Sequence, residues 1–487
     1  MIRYGLIALA LMGCKDKDAA GPKPASVIMG VPMTGGVHID GLEGRVEVLY
    51  DKFGVPTIYG ETEADVAHVH GYVIARDRFF FLDLTRRVGK GTTTELLGDD
   101  GLESDIESRQ RGMIHVTDQI MEELENAPEV ADYMDGYAAG INAFIADVRA
   151  GELDPPAEFE LLGPFIGVDP IDALEEFDRR DIAASIAFLV FETAWEPGDV
   201  SRANDVARFE TLFDGAPLEA LRKAGARPDV FDRMIPPVDA QSAPDWASGG
   251  GPPSGPPANA SRAPRPPSAM LADLEKRLDH AVSKMGKDRS AGFGSNTWAV
   301  SGDHTASGNA LLAADPHLPL SIPSVMWLVG LDTKELGGGD LHVIGHQATP
   351  LLFMASGTNG DIAWGQTNAG GGDITDWYSE IIELDASGAP SSSLFQGAQH
   401  PLVSTVDTYV IADVPALGSV GRTEDIPRYQ TFDGRWLNAI EGRDVDGPED
   451  AGPGETAVNM MGQWVIPEDI DGIDGITAVS FDYTGFD

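Results

Sequence analysis

Phe293-Gly294-Ser295-Asn296-Thr297-Trp298-Ala299-Val300-Ser301-Gly302 is the stretch whose reading decides the fold. Its apolar run Thr297 to Ser301 is strand-like, and a turn-rich segment, Thr305-Ala306-Ser307-Gly308-Asn309, follows it. A second apolar run, Ala310-Leu311-Leu312-Ala313-Ala314, then ends in Asp315-Pro316-His317-Leu318. The strand signal continues beyond, in Leu341 to Gly345 and in Thr349-Pro350-Leu351-Leu352-Phe353-Met354, with Gly and Asp turns between. From Phe293 onward the chain therefore reads as β-rich.

Upstream of this point the text has a different period. Arg45-Val46-Glu47-Val48-Leu49-Tyr50 alternates as a strand does, and Asp51-Lys52-Phe53-Gly54-Val55-Pro56 is a turn. Val66, Val69, Tyr72, Val73 and Phe80 then recur at helical spacing, as do Tyr133, Tyr137, Ile141 and Phe144 within 130–150. A third apolar stretch runs from Ile182 to Phe191. The first segment is mainly helical. Between Pro236 and Pro267 the composition shifts, and Gly249-Gly250-Gly251-Pro252-Pro253-Ser254-Gly255-Pro256-Pro257 has almost nothing to bury against the entropy of ordering. A short amphipathic helix follows, with Leu271, Leu274, Leu278 and Val282 on one face.

Composition bounds the function. With 34 Lys+Arg against 78 Asp+Glu the net charge is −44, so a nucleic-acid partner, which needs a basic face, is excluded as an expectation. The single cysteine excludes an internal disulfide. Hydrophobic residues at 42% supply a large core.

That cysteine sits at the end of a leader. Arg3 precedes the apolar run Leu6 to Met12, far too short for the roughly 20 residues that a membrane span needs. Leu11-Met12-Gly13-Cys14 followed by Lys15-Asp16-Lys17-Asp18 resembles the lipobox of bacterial lipoproteins, with a plain secretory signal as the other reading. The resemblance implies lipid attachment at Cys14, with the lipid anchor as the only membrane contact, and a place on the periplasmic side of the outer membrane or in the periplasm.

The Ser295 stretch and the Ser307-Gly308-Asn309-Ala310-Leu311-Leu312-Ala313-Ala314-Asp315-Pro316-His317 block strongly resemble the penicillin acylase family of N-terminal-nucleophile hydrolases. The likeness extends back through Asp51 to Ile58, Gly71-Tyr72-Val73-Ile74-Ala75-Arg76-Asp77-Arg78, Arg86 to Gly91, Glu95 to Gly98, Tyr137 to Phe144 and Pro156 to Phe159. Thr57 stands where many members carry His, and Arg76 where many carry Gln. The implied fold is α+β, the αββα sandwich of this superfamily. The implied activity is hydrolysis of a linear amide joining an acyl group to an amine, with a β-lactam side chain, an acyl-homoserine lactone or another N-acyl amine as substrate and no organic cofactor.

Why such chemistry places serine at the start of a chain is a matter of acidity. A hydroxyl is a weak nucleophile, and an α-amino group with a pKa of about 7.7–8.0 is a base matched to neutral pH. Cutting the Gly294–Ser295 bond would create that amine. The family makes this cut autocatalytically, removes the linker as a spacer and leaves an alpha-beta heterodimer. The corresponding parts here are a leader over 1–14, a tether over 15–43, a first-chain segment over 44–235, a linker and spacer over 236–294, and a second-chain segment over 295–487.

Carried over residue by residue, His317 falls where many members hold a His beside the nucleophile's amine. Ala369, in Gln366-Thr367-Asn368-Ala369-Gly370-Gly371-Gly372, falls where a backbone N–H stabilises the oxyanion. Asp373, the carbonyl of Thr375, and Asp376 occupy the positions of calcium ligands, completed by a first-chain acid for which Asp205 aligns, with Asn204 as the other choice. The family's second oxyanion donor, an Asn, and a nearby Arg come from further along a longer second chain and have no counterpart before Asp487. Two readings follow: a fragment or frameshifted product, whose cleavage in this form is slow or absent, or a truncated, catalytically inactive surface lipoprotein that keeps the pocket for binding. The coding sequence downstream of Asp487 discriminates them.

Overall fold

The computed structural model describes residues 7–11, 25–194, 198–201, 203–205, 238–239, 268–284, 294–318, 324–367, 375–470 and 475–483. The first half supplies strands β1 (Ile7–Leu11), β2 (Val46–Tyr50) and β3 (Pro56–Gly60) and the long helices α1 (Glu63–Lys90), α2 (Pro128–Arg149) and α3 (Arg179–Ala194). The apolar leader run thus lies antiparallel on β2, with Ile7 opposite Tyr50 and Leu11 opposite Val46. Helix α1 starts where Thr62 accepts from the Asp65 N–H and stops at Gly91, whose φ of 63° puts it in the left-handed conformation that ends helices.

The helices pack backbone to backbone. A Cβ on Gly71 would lie 1.9 Å from the Tyr137 carbonyl oxygen, and one on Gly140 would lie 1.8 Å from that of His68, so only glycine allows α1 and α2 to cross this closely. Around the crossing, Val69, Tyr72, Val73, Tyr137, Ile141 and Phe144 form one buried core with strand residues Val48, Ile58, Trp327 and Val329. The helices therefore cover one face of a sheet.

That sheet is shared by both halves of the chain. It runs β1-β2-β3-β6-β7-β8-β9, where β6 is Met326–Asp332, β7 His342–Ala348, β8 Ser356–Thr358 and β9 Ala363–Gly365. The join is the parallel pairing of β3 with β6, Thr57 opposite Gly330, and there a Cβ on Gly330 would sit 2.7 Å from Thr57 Cγ2. Strands β4 (Gly294–Val300) and β5 (Leu311–His317) form a separate two-stranded ribbon. A second large sheet orders β10 (Thr375–Leu384), β11 (Pro390–Phe395), β12 (Ala398–Pro401), β13 (Val403–Ile411), β14 (Arg422–Gln430), β15 (Trp436–Ile440) and β16 (Ile476–Tyr483) as β12-β11-β10-β16-β15-β14-β13. The α+β class expected from the sequence is what the chain adopts.

One expectation is corrected. Thr349 to Met354 is not a strand: Pro350 has no N–H to give a ladder, and the Leu351 N–H turns back to the Ala348 carbonyl, 2.6 Å away. The segment closes β7 with a turn instead.

His70 ties the helical layer to the shared sheet. It is fully buried, stacked on Trp327, and its Nε2 lies 3.0 Å from Gln347 Oε1. Since that oxygen can only accept, Nε2 donates and Nδ1 accepts from the Tyr133 hydroxyl at 3.0 Å, an arrangement of the neutral ring. Burial pushes the His70 pKa down to about 4. The unfolded chain, with a histidine near 6.5, therefore takes up the proton first, and this group costs stability as pH falls from about 6.5 toward 4. Replacing it by His70→Gln should shrink the stability lost between pH 7 and pH 4 by about 2–3 kcal/mol, as read by urea unfolding at the two values. An unchanged pH slope would show that His70 does not carry it.

Candidate active site

Ser295 is the second residue of β4, and the register of the ribbon sets its surroundings. Ser295 pairs with Pro316, Gly294 with His317 and Asn296 with Asp315. Because side chains alternate, Ser295 and Thr297 share one face while Asn296, Asp315 and His317 share the other. On that second face His317 Nε2 lies 2.9 Å from Asp315 Oδ2 and 3.2 Å from Asn296 Nδ2. His317 thus stands across from the Gly294–Ser295 peptide, with its ring on the side of the ribbon away from the Ser295 side chain.

Gly294 has φ of +158°, and a Cβ there would meet nothing within 4 Å. Glycine is required there by backbone conformation, with no crowding involved. The residue on the amino side of the candidate nucleophile is the one with the freest backbone.

The face that carries Ser295 is turned toward β9. A Cβ on Gly365 would lie 2.5 Å from Ala314 Cβ and 3.5 Å from Thr297 Cγ2, so the end of β9 touches the ribbon at the next pair on the Ser295 face, two residues along the strand. Gln366 and Thr367 follow β9 at this point, and β10 begins at Thr375. Ala369 and Asp373 themselves, like Cys14, lie outside the described residues.

Thr375 is buried and paired with Tyr483, and Asp376 stands directly opposite Asp482 on β16. Two carboxylates in register repel each other, and their charge, with burial the larger cause, raises the Tyr378 pKa. Among the described residues no three His, Cys, Asp or Glu side chains gather as a metal site would require, so this pair alone does not make one. Sequence reasoning had no signal for Asp482, since only the strand register puts it opposite Asp376. Ala203 packs in one cluster with Trp377 and Tyr483, the neighbours of those two aspartates, whereas Asp205, two helical residues further on, is exposed. Asn204 is otherwise engaged: it is buried, with Nδ2 donating to the Leu271 carbonyl and to Glu275 Oε2 at 2.8 Å each.

The family model for penicillin amidase matches residues 45–468, through both halves and the ribbon between them. The chain belongs to the penicillin amidase family. It is 31% identical over 371 residues to the penicillin acylase 2 proenzyme of Pseudomonas sp. (strain SE83), a match that takes in 75% of this chain and 41% of that protein. It is 24% identical to the acyl-homoserine lactone acylase QuiP of Pseudomonas fluorescens (strain Pf0-1), over 84% of this chain and 44% of that protein. Penicillin G acylase of Escherichia coli is 26% identical over 81% of this chain and 46% of its own length. The chain thus spans less than half the length of these relatives.

The contact at Gly365 generates a direct test. Gly365→Ala must push β9 and the ribbon apart, an overpacking change that costs about 1–3 kcal/mol. The variant should melt earlier than wild type and expose the ribbon to limited proteolysis, with new cuts between Gly294 and His317. Wild-type melting and an unaltered digestion pattern would mean that the ribbon is not held by this contact.

Proposed function

We propose that the chain carries the nucleophile-bearing part of an amidohydrolase that cleaves a linear amide between an acyl group and an amine, using Ser295 exposed at a new chain terminus. The observation that carries the reading is the position of Ser295. It is preceded by a glycine in a conformation that L side chains rarely adopt, and it faces the strand that leads into the glycine-rich segment.

In this reading Ser295 Oγ adds to the Gly294 carbonyl, the Gly294–Ser295 amide breaks as the acyl group moves to oxygen and frees the Ser295 α-amine, and water then hydrolyses the ester to give the Gly294 carboxylate and the free Ser295 hydroxyl. With substrate, the same Oγ attacks the amide carbonyl while that amine takes the hydroxyl proton. The Ala369 N–H stabilises the oxyanion, a donor of a kind typically worth about 2.7–4 kcal/mol. The amine product leaves with the returned proton, and water resolves the acyl-enzyme. His317, held by Asp315 and Asn296, acts as a positioning residue beside the amine.

Ser295→Ala should abolish both steps in a chain carrying a complete second-chain core. Intact-mass analysis reads the cleavage, and amine release from an N-phenylacetyl amide and from an N-acyl-homoserine lactone reads the hydrolysis. A folded wild-type protein of this kind that stays in one piece and releases no amine overturns the reading.

Calcium would be held by Asp376 and the opposite Asp482, together with Asp373, the Thr375 carbonyl and Asp205, and would serve to neutralise charge where the two halves meet. By mass action an occupied site stabilises the fold by about 2.7 kcal/mol at a hundredfold excess over Kd. Chelation should lower the wild-type melting temperature and leave that of Asp376→Ala unchanged. Identical wild-type melting with and without calcium, with no metal in elemental analysis, removes the site.

A further inference from the structure

The linker region contains a helix that the structure treats as core. Helix α4 (Ser268–Lys284) lies within the part that the family resemblance marks for removal as a spacer. Yet Leu271, Leu274 and Leu278 are 0%, 0% and 1% exposed. They pack in one cluster with Phe191 of α3 and with Trp377, Val479, Phe481 and Tyr483 of the second sheet. The aromatic rings interlock beneath the helix, with Phe191 5.3 Å from Tyr483 and Trp377 4.9 Å from Phe481 between centroids.

Polar contacts hold the helix on both sides. On the first-chain side, the buried Asn204 amide donates to the Leu271 carbonyl and to Glu275. On the second-chain side, Arg277 Nη1 donates to the Met460 carbonyl at 2.6 Å. The helix is therefore a wedge that touches residues on either side of the Gly294–Ser295 bond. Its departure would bare Trp377, Val479 and Phe481, each no more than 1% exposed, and leave the Asn204 amide without these partners.

We infer that helix α4 is a permanent interchain wedge: it stays docked after cleavage at Gly294–Ser295 as the last element of the first chain. The part that can be lost without cost to the fold lies outside residues 268–284. The word "interchain" rests on the self-cleavage reading above, whereas the docking of the helix does not, and the test separates them.

Sequence-specific protease sites placed within 249–257 and within 286–290 of the full chain allow the helix to be cut free at both ends on demand. The liberated peptide should then co-elute with the remainder in size-exclusion chromatography and separate only in denaturant. Leu274→Asp should lower the melting temperature by on the order of 10 °C, while Lys276→Ala, on the exposed face of the helix, should leave it unchanged. If Leu274→Asp fails to fold, the double-cut experiment on the wild-type sequence still decides. A peptide that elutes alone and leaves a remainder melting at the uncut temperature overturns the inference. Loss of the cooperative transition together with the peptide supports it. Intact mass of the chain without added protease reports separately whether self-cleavage occurs.

Discussion

Two helices that touch backbone to backbone set the geometry on which everything else rests. The crossing of α1 and α2 at Gly71 and Gly140 leaves no room for side chains between them. His70, Tyr72 and Ile141 beside those glycines, and Tyr137 opposite Gly71, lie in the core against the shared sheet. Gly89 repeats the device toward α3, where a Cβ would lie 2.2 Å from the Ala184 carbonyl oxygen. The sheet that results supplies β9, and β9 supplies the seat for the ribbon that carries Ser295.

Much of this was legible in residue patterns. The spacing of Tyr133, Tyr137, Ile141 and Phe144 gives Pro128–Arg149 almost to its ends, and the Asp51 to Pro56 turn closes as read, with the Gly54 N–H donating to the Asp51 carbonyl. The strand around Ser295 was legible from the apolar run Thr297 to Ser301 and from the family resemblance of its opening, and it spans Gly294–Val300. What could not be read belongs to long-range packing. Nothing local marks His70 as the partner of Gln347, Asp482 as the residue opposite Asp376, or Gly365 as a point of close approach. Thr349 to Met354 was misread because apolar content outweighed the missing N–H of Pro350.

The acidic composition also acquires a structure. With 78 acidic residues to 34 Lys and Arg, buried arginines find carboxylate partners near at hand. Arg86 and Arg87 are buried and share the carboxylate of Asp83, at 2.6 and 2.8 Å, and Arg86 reaches Asp181 as well. Removing one member of such a buried group strands the others, so these arginines fix how α1 meets α3.

The parallel pairing of β3 with β6 has a kinetic consequence. In one continuous chain, the residues from Gly60 to Met326 are the tether that brings these strands together, and closing that loop is a unimolecular search. Any break in the tether turns the same pairing into an encounter between two solutes, whose rate falls with dilution. Once broken, the protein keeps its sheet only for as long as it never lets go. Its lifetime is then governed by the barrier to unfolding, and no longer by the balance between folded and unfolded states.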